Sequence, residues 1–572
     1  MALVTRMGST CPVQWPSQIV GRQIDGTSPK QGETLKSVCL MYESKPRSIV
    51  TERGSNNLAF CLKKSVLQHS KKMPFQRDGT AVVLASQGDH TLQIAEDVIK
   101  SGRPTKRHLP FYVMLPADTV SGSNTVNRCK AIQAGLLALK ALGVDGVVMQ
   151  VWWGIVEGDA PTKYDWSAYL TLVNLIQAAG LKVQASMCFH GCKYKKNKPA
   201  IGLPSWVLKV GENDPNIFFT DRAGNRYRDC LSLAVDNLPL FDGRSPLKMF
   251  SDVLKNFRET FSDFIGDTIV EVSVGLGPDG ELRYPSFPED TWKFPGVGEF
   301  QCYDKYMLAN LLQHSQEKGH SEWGLSGPHD APSYCQWPHE GGFFVDNGGA
   351  WDSPYGQFFL SWYSAQLLAH GDRMLSLAAS IFKKDKVIIG GKLPVIHWWY
   401  KTKSHAAELT SGFYNVEGRD GYDAFVEMFA KNASLISLPN MDVSDMDYPS
   451  EAKCSPQSVL LQIRRASQKY GVPVAGENSF PCGDNAAFKR ILDNVHLGNT
   501  PQIPVLTSFT FKSMGQSLYS PENWRLFVNF YRNIDQYASV FDENDLPLNA
   551  EEAASCSFSN SKHHQQQQLV EA

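Results

Sequence analysis

From Phe111 onward, short apolar runs alternate with longer stretches in which apolar residues recur every three or four positions. "FYVMLP" (111–116) precedes "RCKAIQAGLLALKALG" (128–143), and "DGVVMQVWW" (145–153) precedes "WSAYLTLVNLIQAAG" (166–180). Further short runs are "LKVQASMCF" (181–189), "DTIVEVSVG" (267–275), "KVIIGGKLPVI" (386–396), "SLISLP" (434–439), "VPVAGENS" (472–479) and "LTSFTFKSM" (506–514). The helical spacing returns in 300–319, 421–433, 455–471 and 520–534. A continuous apolar run of this length suits a strand buried on both faces, and the longer spacing suits an amphipathic helix. Ser455 and Gly471 are candidate caps for the helix between them.

Buried strands that alternate with helices form parallel βα units, and about eight units predict a closed (β/α)8 barrel with long βα loops. A doubly wound sheet is the competing fold. It would carry a glycine-rich phosphate loop after its first strand, and "MLPADTVSGSN" has no such pattern.

Composition sets the limits of this barrel. The chain has 572 residues, too many for one minimal domain, with ordinary globular shares of hydrophobic (42%) and charged (20%) residues. The net charge of -2 gives no attraction to nucleic acid or membrane surfaces, and no apolar run is long enough to span a bilayer. Residues 1–105 read as a transit peptide and extension, because "MALVTRMGSTCPVQWPSQIVGRQ" is basic, hydroxyl-rich and free of acids. That pattern points to import into an organelle, and a plain disordered extension is the alternative. The barrel is expected over 106–540, and 541–572 is a low-complexity tail ending in "HHQQQQLVEA". The twelve cysteines show no CxxC pair, and reduced thiols are favoured over a zinc site at Cys188, His190 and Cys192, which has no clear fourth ligand.

Candidate chemistry sits at the strand ends, where barrel active sites form. Glu281 follows the fourth run in "GLGPDGELRYPS", and Glu477 ends the seventh in "VAGENS". Glycines around Glu281 let the backbone turn sharply. Two carboxylates across one site are the minimum for glycoside hydrolysis, one as acid and one as base. The plainer alternative is that a glutamate only pairs with a cation such as Arg283. Tryptophan pairs at Trp152–Trp153 and Trp398–Trp399 fit stacking on sugar faces, although a pair can also be core filling.

These stretches together resemble the plant β-amylases from about Pro110 to Tyr537. The similarity rests on "GVDGVVMQVWWGIVE", "GLGPDGELRYPS", "GVGEFQCYDKY", "FFLSWYSAQLL", "IHWWYKTKSHAAELTSGFYN" and "VAGENS". The resemblance implies an exo-hydrolase that releases maltose from α-1,4-glucan with inversion, without metal or organic cofactor. It implies Glu281 as general acid and Glu477 as general base. His190, Lys392, His397, Asn478, Ser479, Trp153 and Gln150 match the sugar-binding set.

The departures bear on activity. The family's lid after "FH" is glycine-rich and ends in an aspartate, whereas this chain reads "HGCKYKKNKPAIGLP", with no acid between His190 and Glu212. Gln150 replaces an acidic sugar ligand, Pro439 a threonine, and Ser513 an arginine. Each such loss in a closed site costs on the order of 10²-fold in rate. Hydrolysis is therefore expected to be weak or lost. A fully active maltose-releasing enzyme and a non-catalytic glucan-binding or regulatory protein are the alternatives. The expected partners are an α-1,4-glucan or maltose, and the basic Lys193–Lys198 loop is a candidate surface for an acidic protein. A solvated loop is the plainer reading of those lysines.

Overall fold

A computed structural model describes residues 109–192, 201–479, 485–497 and 506–534. Eight parallel strands close into a barrel: β1 (Phe111–Met114), β2 (Gly146–Trp152), β3 (Lys182–Cys188), β4 (Ile269–Val274), β5 (Ile388–Lys392), β6 (Leu435–Leu438), β7 (Val474–Glu477) and β8 (Ser508–Phe511). Each pairs with its sequence neighbours, and the ring closes where Phe111 of β1 is in register with Phe509 of β8. All eight coincide with the apolar runs of the sequence. The expected terminal segments, 1–105 and 541–572, lie outside the described residues, as do Lys193, Lys195, Lys196, Lys198 and Pro199 of the lid.

The helices cover the barrel through the spacing that predicted them. The helix Cys129–Leu142 buries Ile132, Leu136 and Leu139 on one face. Gly471 ends the helix Pro456–Tyr470 in a left-handed conformation (φ 69°), where glycine has no steric penalty. Ser455 stands at that helix's start without capping it. Its hydroxyl donates instead to Asp445 Oδ2 at 2.7 Å, which fastens the β6 loop to the helix.

Two long helices and a hairpin were not read from the pattern. Pro246–Thr260 and Pro354–Ile381 both start with a serine cap followed by proline, Ser245 and Ser353 accepting from Lys248 N and Gly356 N. The insert after β3 carries an antiparallel pair, Phe218–Thr220 with Arg226–Leu231.

Close backbone approach explains the glycine of "VWWG". A Cβ on Gly154 would lie 1.9 Å from the carbonyl oxygen of Gly202, so the two loops touch backbone to backbone. Gly154→Ala is expected to destabilise the fold by on the order of 2 kcal/mol, read by chemical denaturation. A change below about 0.5 kcal/mol would show that the contact can relax.

Glu271 on β4 is a buried carboxyl of the barrel, and it accepts from Gln184 Nε2 at 2.9 Å. Burial, and then the charge of Glu477, raises its carboxyl to about 7. In the unfolded chain this group loses its proton near pH 4.5, while the folded chain keeps it to about 7. Its contribution to stability is therefore present at low pH and lost as pH rises across that window. Glu271→Gln should match the unmodified protein at pH 4 and exceed its stability at pH 8 by on the order of 1–3 kcal/mol. Equal stability at both values would contradict the assignment.

Candidate active site

The turn after β4 places Glu281. Leu276 N donates to the Gly280 carbonyl, and Glu281 N donates to the Pro278 carbonyl at 2.9 Å. Gly280 takes a positive φ of 80°, and Asp279 takes one of 55°. The chain then runs alongside the end of β5, where Leu282 N donates to the Lys392 carbonyl at 2.9 Å. Glu281 thereby makes a parallel bridge with Lys392. The glycines and proline of "GLGPDGEL" serve that re-entry. It carries a carboxylate from beyond one strand to the tip of the next.

Glu477 is the last residue of β7 and is almost wholly buried. Two ammonium groups meet its Oε1: Lys392 Nζ at 2.5 Å and Lys512 Nζ at 2.8 Å. Oε1 has no well-aligned hydrogen-bond donor, so these contacts act through charge more than through directed hydrogen bonds. Burial by itself raises this carboxyl, but Lys392 and Lys512 outweigh burial and hold it down at about 2. Burial lowers Lys392, yet Glu477 and then Glu281 keep its net shift upward. The lysine therefore feels both glutamates.

Glu281 is held differently. Arg283 Nε donates to its Oε2 at 2.7 Å, and Arg283 Nη2 donates to Asp279 Oδ2 at 2.6 Å. The pairing with Arg283 that the sequence allowed as the plainer alternative is present. It does not bury the carboxylate, which keeps 17% of its exposure.

Two histidines stand nearby as neutral groups. His190 Nδ1 meets the Gly191 carbonyl at 2.8 Å, and His397 Nδ1 meets the Val395 carbonyl at 3.0 Å. A carbonyl only accepts, so each Nδ1 carries the proton and each Nε2 is left as an acceptor. Burial lowers the pKa of both rings, that of His397 to about 4. Gly280 lies against His190 Nε2, which sets this ring beside the Glu281 turn.

Aromatic rings extend the site from His397. Trp398 contacts Phe287, Trp292 and Phe294 with ring centroids at 4.7, 5.2 and 6.3 Å, and Tyr448 contacts His397 at 4.7 Å. Trp398 is half-buried and Phe294 exposed, so the cluster presents ring surface to solvent.

Several expected binding residues have other duties. Trp153 is buried among Phe189, Trp206 and Phe250, and its indole donates to Glu157 Oε2 at 2.7 Å. Its ring is packed in the core, at the residue where the chain turns into a helix. Asn478 donates to the Lys512 carbonyl and accepts from Lys512 N, both at 2.8 Å, so its amide braces the backbone of Lys512. Ser479 joins the β7 and β6 loops through Asn440 and Asp442. Gln150 is half-buried on β2, Pro439 follows β6, and Ser513 follows Lys512. Burial raises the Cys188 thiol to about 12 and Cys192 to about 11, which disfavours the thiolates that zinc needs. Among the described residues no cluster of His, Cys, Asp or Glu is arranged to hold a metal.

The sequence reading missed Lys512 and Asp279. The signal for Lys512 was available: a lysine directly ends the buried run "SFTF", as Lys392 ends "IIGG".

Comparison with known proteins fits this site. Glycosyl hydrolase family 14 matches over residues 112–539. The chain is 45% identical to inactive beta-amylase 9 of Arabidopsis thaliana, over 78% of this chain and 81% of that one. It is 43% identical to chloroplastic beta-amylase 1 of the same plant, over 75% and 76%. The catalytic domain of beta-amylase from Paenibacillus polymyxa superposes with a TM-score of 0.61 at 25% identity, covering 73% of this chain and 97% of that domain. With the closed barrel and the paired glutamates at its strand ends, these matches show that the chain belongs to glycosyl hydrolase family 14, among the plant β-amylases.

Proposed function

We propose that this protein is a plastid β-amylase homologue that binds α-1,4-glucan and hydrolyses it weakly or not at all. One observation carries the proposal. The site retains Glu281, Glu477 and an aromatic wall, while Gln150 stands on β2, Pro439 follows β6 and Ser513 lies just past β8. Binding needs ring surface and neutral hydrogen-bonding groups, and Trp398, Phe294, His190 and His397 supply them. Hydrolysis needs in addition charged and hydroxyl groups fixed around the reacting carbon, and those three positions no longer offer them.

The similarity to a relative named inactive supports weak or lost hydrolysis, and the similarity to relatives named chloroplastic supports a plastid site. The second reading, a fully active maltose-releasing enzyme, is favoured by the survival of both glutamates. If the reaction runs, the chain's residues divide the work in the inverting manner. Glu281 donates a proton to the leaving oxygen while Glu477 takes one from the attacking water.

Reducing-sugar release from soluble starch separates the two readings. The expected rate is lower than that of Arabidopsis chloroplastic beta-amylase 1 by at least about 10²-fold. A rate ordinary for the family that collapses in Glu281→Gln would establish the active enzyme. Binding is measured apart from turnover, by retardation in amylose-containing gels. The unmodified chain should be retarded, and Trp398→Ala should weaken that affinity by about tenfold. No retardation of the unmodified chain would remove the glucan-binding role.

A further inference from the structure

We propose that Lys512 is a positioning residue that holds Glu477 as an ion-paired anion and withholds it from water. This rests on the reading of the site as a glucan site with Glu477 in the base position.

A general base must present an ionised oxygen to a water molecule and be basic enough to take its proton. Two ammonium groups bear on Glu477 Oε1, that of Lys392 from the end of β5 and that of Lys512 from just beyond β8, so a water that uses this oxygen competes with both. The other charged groups around Glu477 do not compensate. Glu271 of β4 lies within the barrel, and its carboxyl is raised by burial and then by the charge of Glu477. On the β6 side, Asp442 is engaged with Ser479 N at 2.8 Å. On the β4 loop, Glu281 acts on Lys392, and Asp279 is held by Arg283. Asn478, next to Glu477, holds the Lys512 backbone through both ends of its amide, which ties the root of the lysine side chain to the β7–β8 junction.

The consequence is specific to the water-activating half of the reaction. α-Maltosyl fluoride isolates that half, since fluoride leaves without a proton donor. Water attacks C1, the C1–F bond breaks, the water proton passes to Glu477, and fluoride departs as the anion. Glu281 and the lid contribute little to such a substrate.

The test uses the full chain with ¹³C-labelled glutamate side-chain carboxyls, the Glu477 signal being assigned with Glu477→Gln. In the unmodified protein that signal should keep its ionised position down to the pH of acid unfolding. Lys512→Met and the shorter Lys512→Leu remove the charge with apolar side chains. In whichever of them folds, the signal should titrate above about pH 4, because burial then faces one lysine in place of two. Lys512→Arg keeps the charge and should leave Glu477 ionised. Hydrolysis of α-maltosyl fluoride should rise at least about tenfold in the apolar variants and not in Lys512→Arg. A Glu477 signal still ionised at pH 4 in the apolar variants overturns the positioning role of Lys512. So does equal behaviour of the arginine and apolar variants. A shifted titration without faster fluoride hydrolysis overturns the withholding of the base from water. The titration does not depend on glucan binding, so its failure is distinct from failure of the glucan-site reading.

Discussion

Closure of eight parallel strands into a ring forces the last residue of each strand onto one circle of limited width. Whatever charges the sequence places there must then settle among themselves. In this chain the circle receives Lys392 from β5, Glu477 from β7 and Lys512 just beyond β8, and the β4 turn adds Glu281 beside Lys392. None of these residues is near another in sequence. Their contact follows from closure alone, and the arrangement of ion pairs at the mouth follows from their contact.

Burial makes these pairings obligatory. A carboxylate as enclosed as Glu477 is costly without a cation, and removing a cation from such a pair costs several kcal/mol more than an exposed pair would. Two lysines on one oxygen over-satisfy that need. Glu281, more exposed, has a single guanidinium that it shares with Asp279. Each glutamate thus has cationic partners of its own, two lysines for Glu477 and Arg283 for Glu281. A sugar site and a hydrolytic site need the same walls, and the difference lies in whether the carboxylates are available. The described contacts place Glu477 firmly in the held state.

Much of the barrel was legible because buried parallel strands must be apolar on both faces, and all eight runs stand out against their flanks. The helices at 246–260 and 354–381 were less visible: the first lies in a polar stretch, and the second was read only for its motif. Ser455 illustrates a limit of local signals. It occupies a cap position, yet a more distant partner, Asp445, takes its hydroxyl. Trp153 illustrates another, since a tryptophan at a strand end is equally at home facing the mouth or the core, and only the turn at Trp153–Val156 decides. The glutamates and Lys392 could be located from strand ends. The pairing of Lys512 with Glu477 could not, because it joins side chains from two strands whose register and inward facing are fixed only by closure.

The central claim is that glucan enters this site and stays whole while Lys392 and Lys512 remain on Glu477. The most direct measurement is a crystal structure of the protein soaked with maltotetraose. The account predicts one unbroken tetrasaccharide lying along Trp398, with both lysine ammonium groups still within ion-pair distance of Glu477 Oε1. Two separate maltose units, or a water on Glu477 with Lys512 turned away, would contradict it.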